Sequence, residues 1–247
     1  MKSFGKTDRG LSKQNNEDSF FLRSPVGMFD TLMIVADGVG GASYGEVASK
    51  LAVDSIANTV SKSTMSRPGF LLSQAVSLAN LKVRREMEIK ASRQMGTTLI
   101  IAGVIGNRVY AANIGDSRLY QIHTEDGNIT KVTKDHSFAE EMVRKGLISR
   151  DSAIYKEKEH VITRAVGMSS EVSADLYDFK VFAGDFLLLC SDGLYNMVPE
   201  KEMMRIVLTH RDNPEAAVNA LIDMANLNGG RDNITAVLYG YEEVSHA

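Results

Sequence analysis

The sequence predicts an α+β fold, a four-layer α/β/β/α sandwich with two central antiparallel sheets flanked by helix pairs. Two observations carry this. Strand-like apolar runs come in adjacent sets joined by short turns, and helix-like segments come in pairs. Parallel βα units would instead alternate strand and helix one for one.

The elements follow in order. Residues 19–24 and 31–36 read as strands, the second being Thr31-Leu32-Met33-Ile34-Val35-Ala36. Residues 43–62 read as a helix, because Tyr44, Val47, Ala48, Leu51, Ala52, Ser55, Ile56, Thr59 and Val60 fall on one face at helical spacing. Ser43 with Glu46 forms a capping-box pattern at its start. A second helix over 69–93 aligns Leu72, Ala75, Val76, Ala79, Val83 and Met87. Strand-like runs follow at 96–106, 108–114 and 117–123, with a tight hairpin at Gly106-Asn107. Ser137 and Glu140 mark the start of a short helix over 137–145. Residues 146–167 are mixed and charged and read as an irregular flap. Strands at 174–182 and 185–191, helices at 199–209 and 214–227, and a strand at 233–241 complete the chain.

Composition limits the function classes. The 247 residues suit one large domain or two small ones. With four prolines and no linker or low-complexity stretch, a single domain over 1–247 is expected. The formal net charge of −3 gives no basic field for nucleic acid. Cys190 is the only cysteine, which removes a disulfide framework and a cysteine-rich zinc site, and its apolar run marks it as a buried thiol. The N-terminal residues lack an apolar signal core, and no stretch approaches the ~20 apolar residues of a membrane span. The expectation is a cytoplasmic protein, monomeric by default.

The chemistry lies in five short acidic motifs: Asn16-Glu17-Asp18, Asp37-Gly38-Val39-Gly40-Gly41, Gly115-Asp116-Ser117-Arg118, Ser191-Asp192-Gly193 and Asp232-Asn233. Most adjoin a strongly apolar run, so their carboxylates stand where buried strands begin or end. Each motif alone has an ordinary reading. Asp-Gly is a common turn, Asp232 suits a loop after Gly229-Gly230, Glu17-Asp18 suits a solvated turn, and Asp116 could pair with Arg118. Jointly they read differently. Clustered carboxylates repel and resist ionisation unless cations sit between them. Carboxylates are hard ligands suited to Mg²⁺ or Mn²⁺, and a pair of such ions needs several of them. The pattern reads as a metal-dependent hydrolase of phosphate esters.

In this order the motifs resemble the type 2C (PPM) metal-dependent protein serine/threonine phosphatases, bacterial branch. The resemblance runs from Thr7-Asp8-Arg9-Gly10 through Gly96-Thr97-Thr98, Asp135-His136-Ser137 and Val161-Ile162-Thr163-Arg164-Ala165-Val166-Gly167 to Asp232-Asn233-Ile234-Thr235. It implies two Mn²⁺ or Mg²⁺ ions between the sheets. Asp37 would bridge them, the Gly38 carbonyl would bind one, and Asp192 and Asp232 would complete the other. Glu17 and Asp18 would act through water, and Asp116 with Asp192 would form a weaker third site. The implied reaction is hydrolysis of phosphoserine and phosphothreonine by direct attack of an activated water. The implied partners are phosphorylated proteins and a receptor-like kinase acting on them. The alternatives are a narrow regulatory phosphatase of one phosphoprotein, a non-specific phosphoesterase, and a binding module with a degraded site.

Two departures stand out. Lys13 occupies the place of the family's phosphate-gripping arginine; a lysine offers a point charge without a bidentate fork. Val39 stands where many eukaryotic members carry a general-acid histidine. None of His123, His136, His160, His210 and His246 lies in a ligand-bearing motif. His136 reads as a helix-start residue and Arg164 as an anchor of the flap base.

Overall fold

A computed structural model describes residues 3–39, 44–90 and 95–242. One sheet has five strands in the order β1 (Ser3–Asp8), β11 (Ile234–Gly240), β10 (Phe186–Cys190), β7 (Arg118–His123), β8 (Asn128–Lys131). The other runs β2 (Asp18–Arg23), β3 (Thr31–Val39), β5 (Leu99–Ile105), β6 (Arg108–Ile114), β9 (Asp175–Lys180), with β4 (Gly96–Thr97) paired to the end of β3. Every strand pair is antiparallel.

Three apolar layers build the sandwich. In β3, Leu32, Ile34 and Ala36 pack with α1 (Gly45–Lys62) and α2 (Pro68–Ile89), while Met33 and Val35 enter the layer between the sheets. In β10, Phe186, Leu188 and Cys190 pack with α6 (Glu200–Thr209) and α7 (Pro214–Leu227), while Leu187 and Leu189 face inward. Strands covered on both faces need apolar residues throughout, which is why these runs do not alternate with polar positions. Each fully buried side chain such as Ile34 or Leu188 contributes about 2 kcal/mol. The four-layer architecture is as the sequence predicts.

Several boundaries differ. Strand β3 continues through Asp37 to Val39, since β4 extends its pairing. Residue Ser43 of the expected capping box lies outside the described residues; the N-cap position is Tyr44, which makes no side-chain cap. Helix α2 stops at Ile89, and residues 91–93 of its expected length lie outside the described residues. The flap is less irregular than expected: Ser152 accepts from Tyr155 N and caps α4 (Ala153–Lys158). Ser137 caps α3 (Phe138–Arg144) by accepting from Glu140 N. The short α5 (Asp192–Tyr195) has no counterpart in the sequence reading.

Candidate metal centre

Strand register brings the acidic motifs to one end of both sheets. Asp18 opens β2 directly opposite Asp37 of β3. Asp116 sits in the turn between β6 and β7, and Asp192 follows β10 as the first residue of α5. Cys190 pairs with Arg118 on one side and Ala236 on the other, so the end of β10 lies beside the starts of β7 and β11. Asp232 precedes β11 by two residues.

The inner wall is fixed by buried hydroxyls. Ser191 and Thr235 both donate to Asp18 Oδ2, at 2.7 and 2.6 Å. Asp18 Oδ1 is buried with no partner. The backbone of Asp37 is held by Thr98, whose N donates to Asp37 O at 2.8 Å and whose hydroxyl accepts from Asp37 N at 3.0 Å. Gly38 is required where it stands, because a Cβ there would collide with the backbone of Gly45 and with Glu17 O. Gly38 N in turn donates to Glu17 O at 3.1 Å.

These acids disturb one another. Burial, then repulsion from Asp18, Asp192, Asp116 and Asp232, pushes Asp37 well above the usual carboxylate range. Burial pushes Asp18 up to about 7 against its two hydroxyl donors. Burial, then Asp192 and Asp135, pushes Asp116 up to about 7. Asp192 is raised by burial and by Asp232. Asp116 is not neutralised by an ion pair with Arg118. That guanidinium goes to Asp135, at 2.7 Å, and to the Tyr120 hydroxyl, at 3.0 Å, and lies 3.5 Å from the Tyr195 ring centre.

The outer rim is wetter. Lys13 Nζ lies 2.6 Å from Asp232 Oδ1, with both side chains about two-fifths exposed at 42% and 39%. Burial works to lower the Lys13 pKa, but its bond to Asp232 and the charges of Asp232, Asp37 and Asp192 outweigh this and raise it. Asn233 ties the rim down: its Oδ1 accepts from Glu17 N at 2.8 Å, and its Nδ2 donates to Arg9 O and Asn15 O at 2.9 Å each. A depression of about 400 Å³ opens here, lined by Glu159, His160, Asp192, Asn196, Arg231 and Asp232 among others.

All the acidic residues singled out in the sequence thus meet at one end of the sandwich, with Lys13 at the edge. The flap brings His160, one of its basic residues, to the depression; the sequence reading missed the hydroxyls of Thr98, Ser191 and Thr235. His136 is buried and accepts from Gly115 N at 3.1 Å through Nδ1. Arg164 pairs with Asp175 at 2.9 Å, anchoring the flap base as expected.

The protein phosphatase 2C family model matches residues 10–224. This chain belongs to the protein phosphatase 2C family. It is an enzyme of that family. Among its relatives, serine/threonine phosphatase stp of Listeria innocua is 35% identical over 243 residues, covering 94% of this chain and 93% of the relative. Protein phosphatase PhpP of Streptococcus pneumoniae is 33% identical over 242 residues, covering 96% of each. The crystal structure of Mycobacterium tuberculosis serine/threonine phosphatase PstP/Ppp superposes with TM-score 0.86 at 33% identity, covering 97% of this chain and 98% of that one. The PstP catalytic domain in complex with two manganese ions gives TM-score 0.82 at 34% identity, covering 96% of each chain.

Proposed function

We propose that this phosphatase hydrolyses phosphoserine and phosphothreonine in proteins, using two Mn²⁺ or Mg²⁺ ions held by Asp37, the Gly38 carbonyl, Asp192 and Asp232. Asp116 with Asp192 would hold a weaker third ion, and Glu17 and Asp18 would act through water. One observation carries the assignment: Asp37 is buried directly opposite Asp18, at the end of the sandwich where Asp116, Asp192 and Asp232 also come together, so that burial and then these four charges all act on it. Such a set costs stability unless cations occupy it.

The donor set fits these ions. It is all oxygen, Asp18 Oδ1 is a buried acceptor without a donor, and each inner acid is raised. Among the described residues no group of three acidic, histidine or cysteine side chains already stands in coordinating positions, so the reading rests on the clustering of the acids and not on a preformed cage. When bound, the ions would supply Lewis acidity to the phosphoryl group and lower the pKa of water.

The chain's own residues do the remainder. Lys13 presents an ammonium group at the rim, where it would attract and orient the phosphoryl oxygens. Asn233 fixes the loop that carries Lys13 and Glu17. Val39 cannot donate a proton, so protonation of the departing serine or threonine oxygen falls to water or to another side chain. The flap at 146–167 would contact the protein around the phosphorylated residue.

The wider setting follows the same reading: one catalytic domain over 1–247, a monomer in the cytoplasm, reversing phosphorylation by a serine/threonine kinase. No helix of the described residues is long and apolar enough to cross a membrane.

The test is release of phosphate from a phosphothreonine peptide with Mn²⁺, with Mg²⁺ or with chelator, in wild type and Asp192→Ala. Metal-dependent release lost in the variant is expected. No release from folded wild-type protein in any metal would overturn the reading.

A further inference from the structure

We propose that Thr98 is the positioning residue that locks the Asp37 segment to the Asp116 segment, through its hydroxyl contact with Ser117. The inference rests on the assignment of Asp37 and Asp116 to the metal centre. These two acids do not lie on neighbouring strands: β5 separates β3 from β6. Their relative position therefore has to be set by something other than one strand ladder.

Thr98 stands between β4 and β5 and is 1% exposed. It engages both backbone groups of Asp37, as donor to O and as hydroxyl acceptor from N. The same Oγ1 lies 2.7 Å from Ser117 Oγ, and Ser117 is fully buried. Its other side faces Gly115. That glycine has φ +95°, and a Cβ built there would stand 2.7 Å from Thr98 Cβ and Cγ2. One residue thus touches the residues on both sides of Asp116 and takes both backbone groups of Asp37, the N–H through its hydroxyl and the carbonyl through its own backbone N–H.

The residue type suits the task. A β-branched side chain is stiff at χ1, so the hydroxyl and methyl directions of threonine are fixed together. The hydroxyl pair is closed to water, so its loss is not compensated by solvent. Thr97 reinforces the same point by donating its hydroxyl to Asp37 O at 2.9 Å.

Thr98→Val keeps the shape and removes the hydroxyl. We expect kcat on a phosphothreonine peptide to fall about tenfold or more with KM within about twofold, because a small misplacement of reacting groups is costly. A calorimetric Mn²⁺ titration of the metal-free protein should show the weakest site weakened by about tenfold. Ser117→Ala should move both readouts the same way. The double variant should match Thr98→Val, because the two changes delete one contact. Thr98→Ser should stay near wild type in kcat. Lower melting temperatures for Thr98→Val and Ser117→Ala with unchanged kcat and unchanged Mn²⁺ isotherms would overturn the proposal, leaving Thr98 a purely structural residue. Should Thr98→Val fail to fold, Ser117→Ala decides by the same two readouts, since it leaves the Asp37–Thr98 bonds in place. Full activity in Asp192→Ala would instead strike the underlying metal assignment.

Discussion

The inner and outer walls of the carboxylate cluster are held by different physics. Asp18 and Asp116 are buried: Asp18 is held by two neutral hydroxyl donors, and Asp116 is raised by burial and other acids against partial relief from Arg118, with which it forms no ion pair. Asp232 is half-exposed and already paired with Lys13. The inner wall gathers like charges that a cation would relieve, whereas the rim carries a cation of its own. A fold that keeps raised, unpaired acids in its interior has given up stability for function, as active sites do.

The largest effect should come from removing the acid that feels the others most. Asp37→Asn keeps the shape and deletes the charge. With Mn²⁺ present, kcat should drop by about 10³-fold or more, since a central electrostatic element is lost. In chelator, the same variant should melt at a higher temperature than wild type, because burial and four neighbouring charges no longer act on position 37. A variant that loses activity and also melts lower without metal would break the contrast between the two walls.

The pH dependence sharpens the same contrast. Asp116 rises from 3.8 to about 7 on folding, and Asp18 rises likewise to about 7. Between these values the native state holds protons that the unfolded chain has lost. The contribution of these two acids to the stability of the metal-free protein should therefore be fully present below about pH 4 and be lost as pH rises to about 7, opposite in sign to acids such as Glu140 whose partners hold them low. For Asp116 alone the shift corresponds to about 4 kcal/mol. Saturating Mn²⁺ should flatten this fall at the upper end of the range by stabilising the ionised forms. Urea denaturation at several pH values, with and without Mn²⁺, measures it. A flat profile without metal would mean that the inner acids are not strained.

The sequence carried the fold class and the acids that the fold gathers at one end, but little of what holds them. Apolar runs such as Leu32–Ala36 and Phe186–Cys190 are legible because both faces of each strand are covered, so burial writes itself directly into composition. Strand β1 was not legible: Ser3–Asp8 is half-buried throughout and mostly polar, and gains its form by pairing with β11. Edge strand β8 gives an equally weak signal, with alternate residues exposed. Thr98, Ser117, Ser191 and Thr235 were invisible as site residues, because a hydroxyl matters only through what the fold sets opposite it. Asp18 and Thr235 are 217 positions apart, and no local pattern announces such a bond. His160 is legible as a basic residue of the flap, but only the path of the flap brings it to the depression beside Asp192 and Asp232.

The smallest effect concerns the rim, where Lys13 must serve two anions. Its ammonium is engaged by Asp232 at 2.6 Å, and the proposed reaction also needs it for the phosphoryl group. The pair is about two-fifths exposed, so it is screened and contributes at most about 1 kcal/mol. Phosphate can therefore compete for Lys13, but a point charge shared between two anions orients neither. A guanidinium has five donors in a planar fork and can face Asp232 with one edge and phosphate with another. Lys13→Arg should raise kcat/KM for a phosphothreonine peptide by about threefold to tenfold, mainly through KM. Lys13→Ala should lower it by a similar factor while leaving Mn²⁺ affinity equal or tighter, since a competing cation has gone. If neither variant moves kcat/KM, Lys13 is a solvated lysine that neutralises Asp232, and the rim takes no part in gripping phosphate.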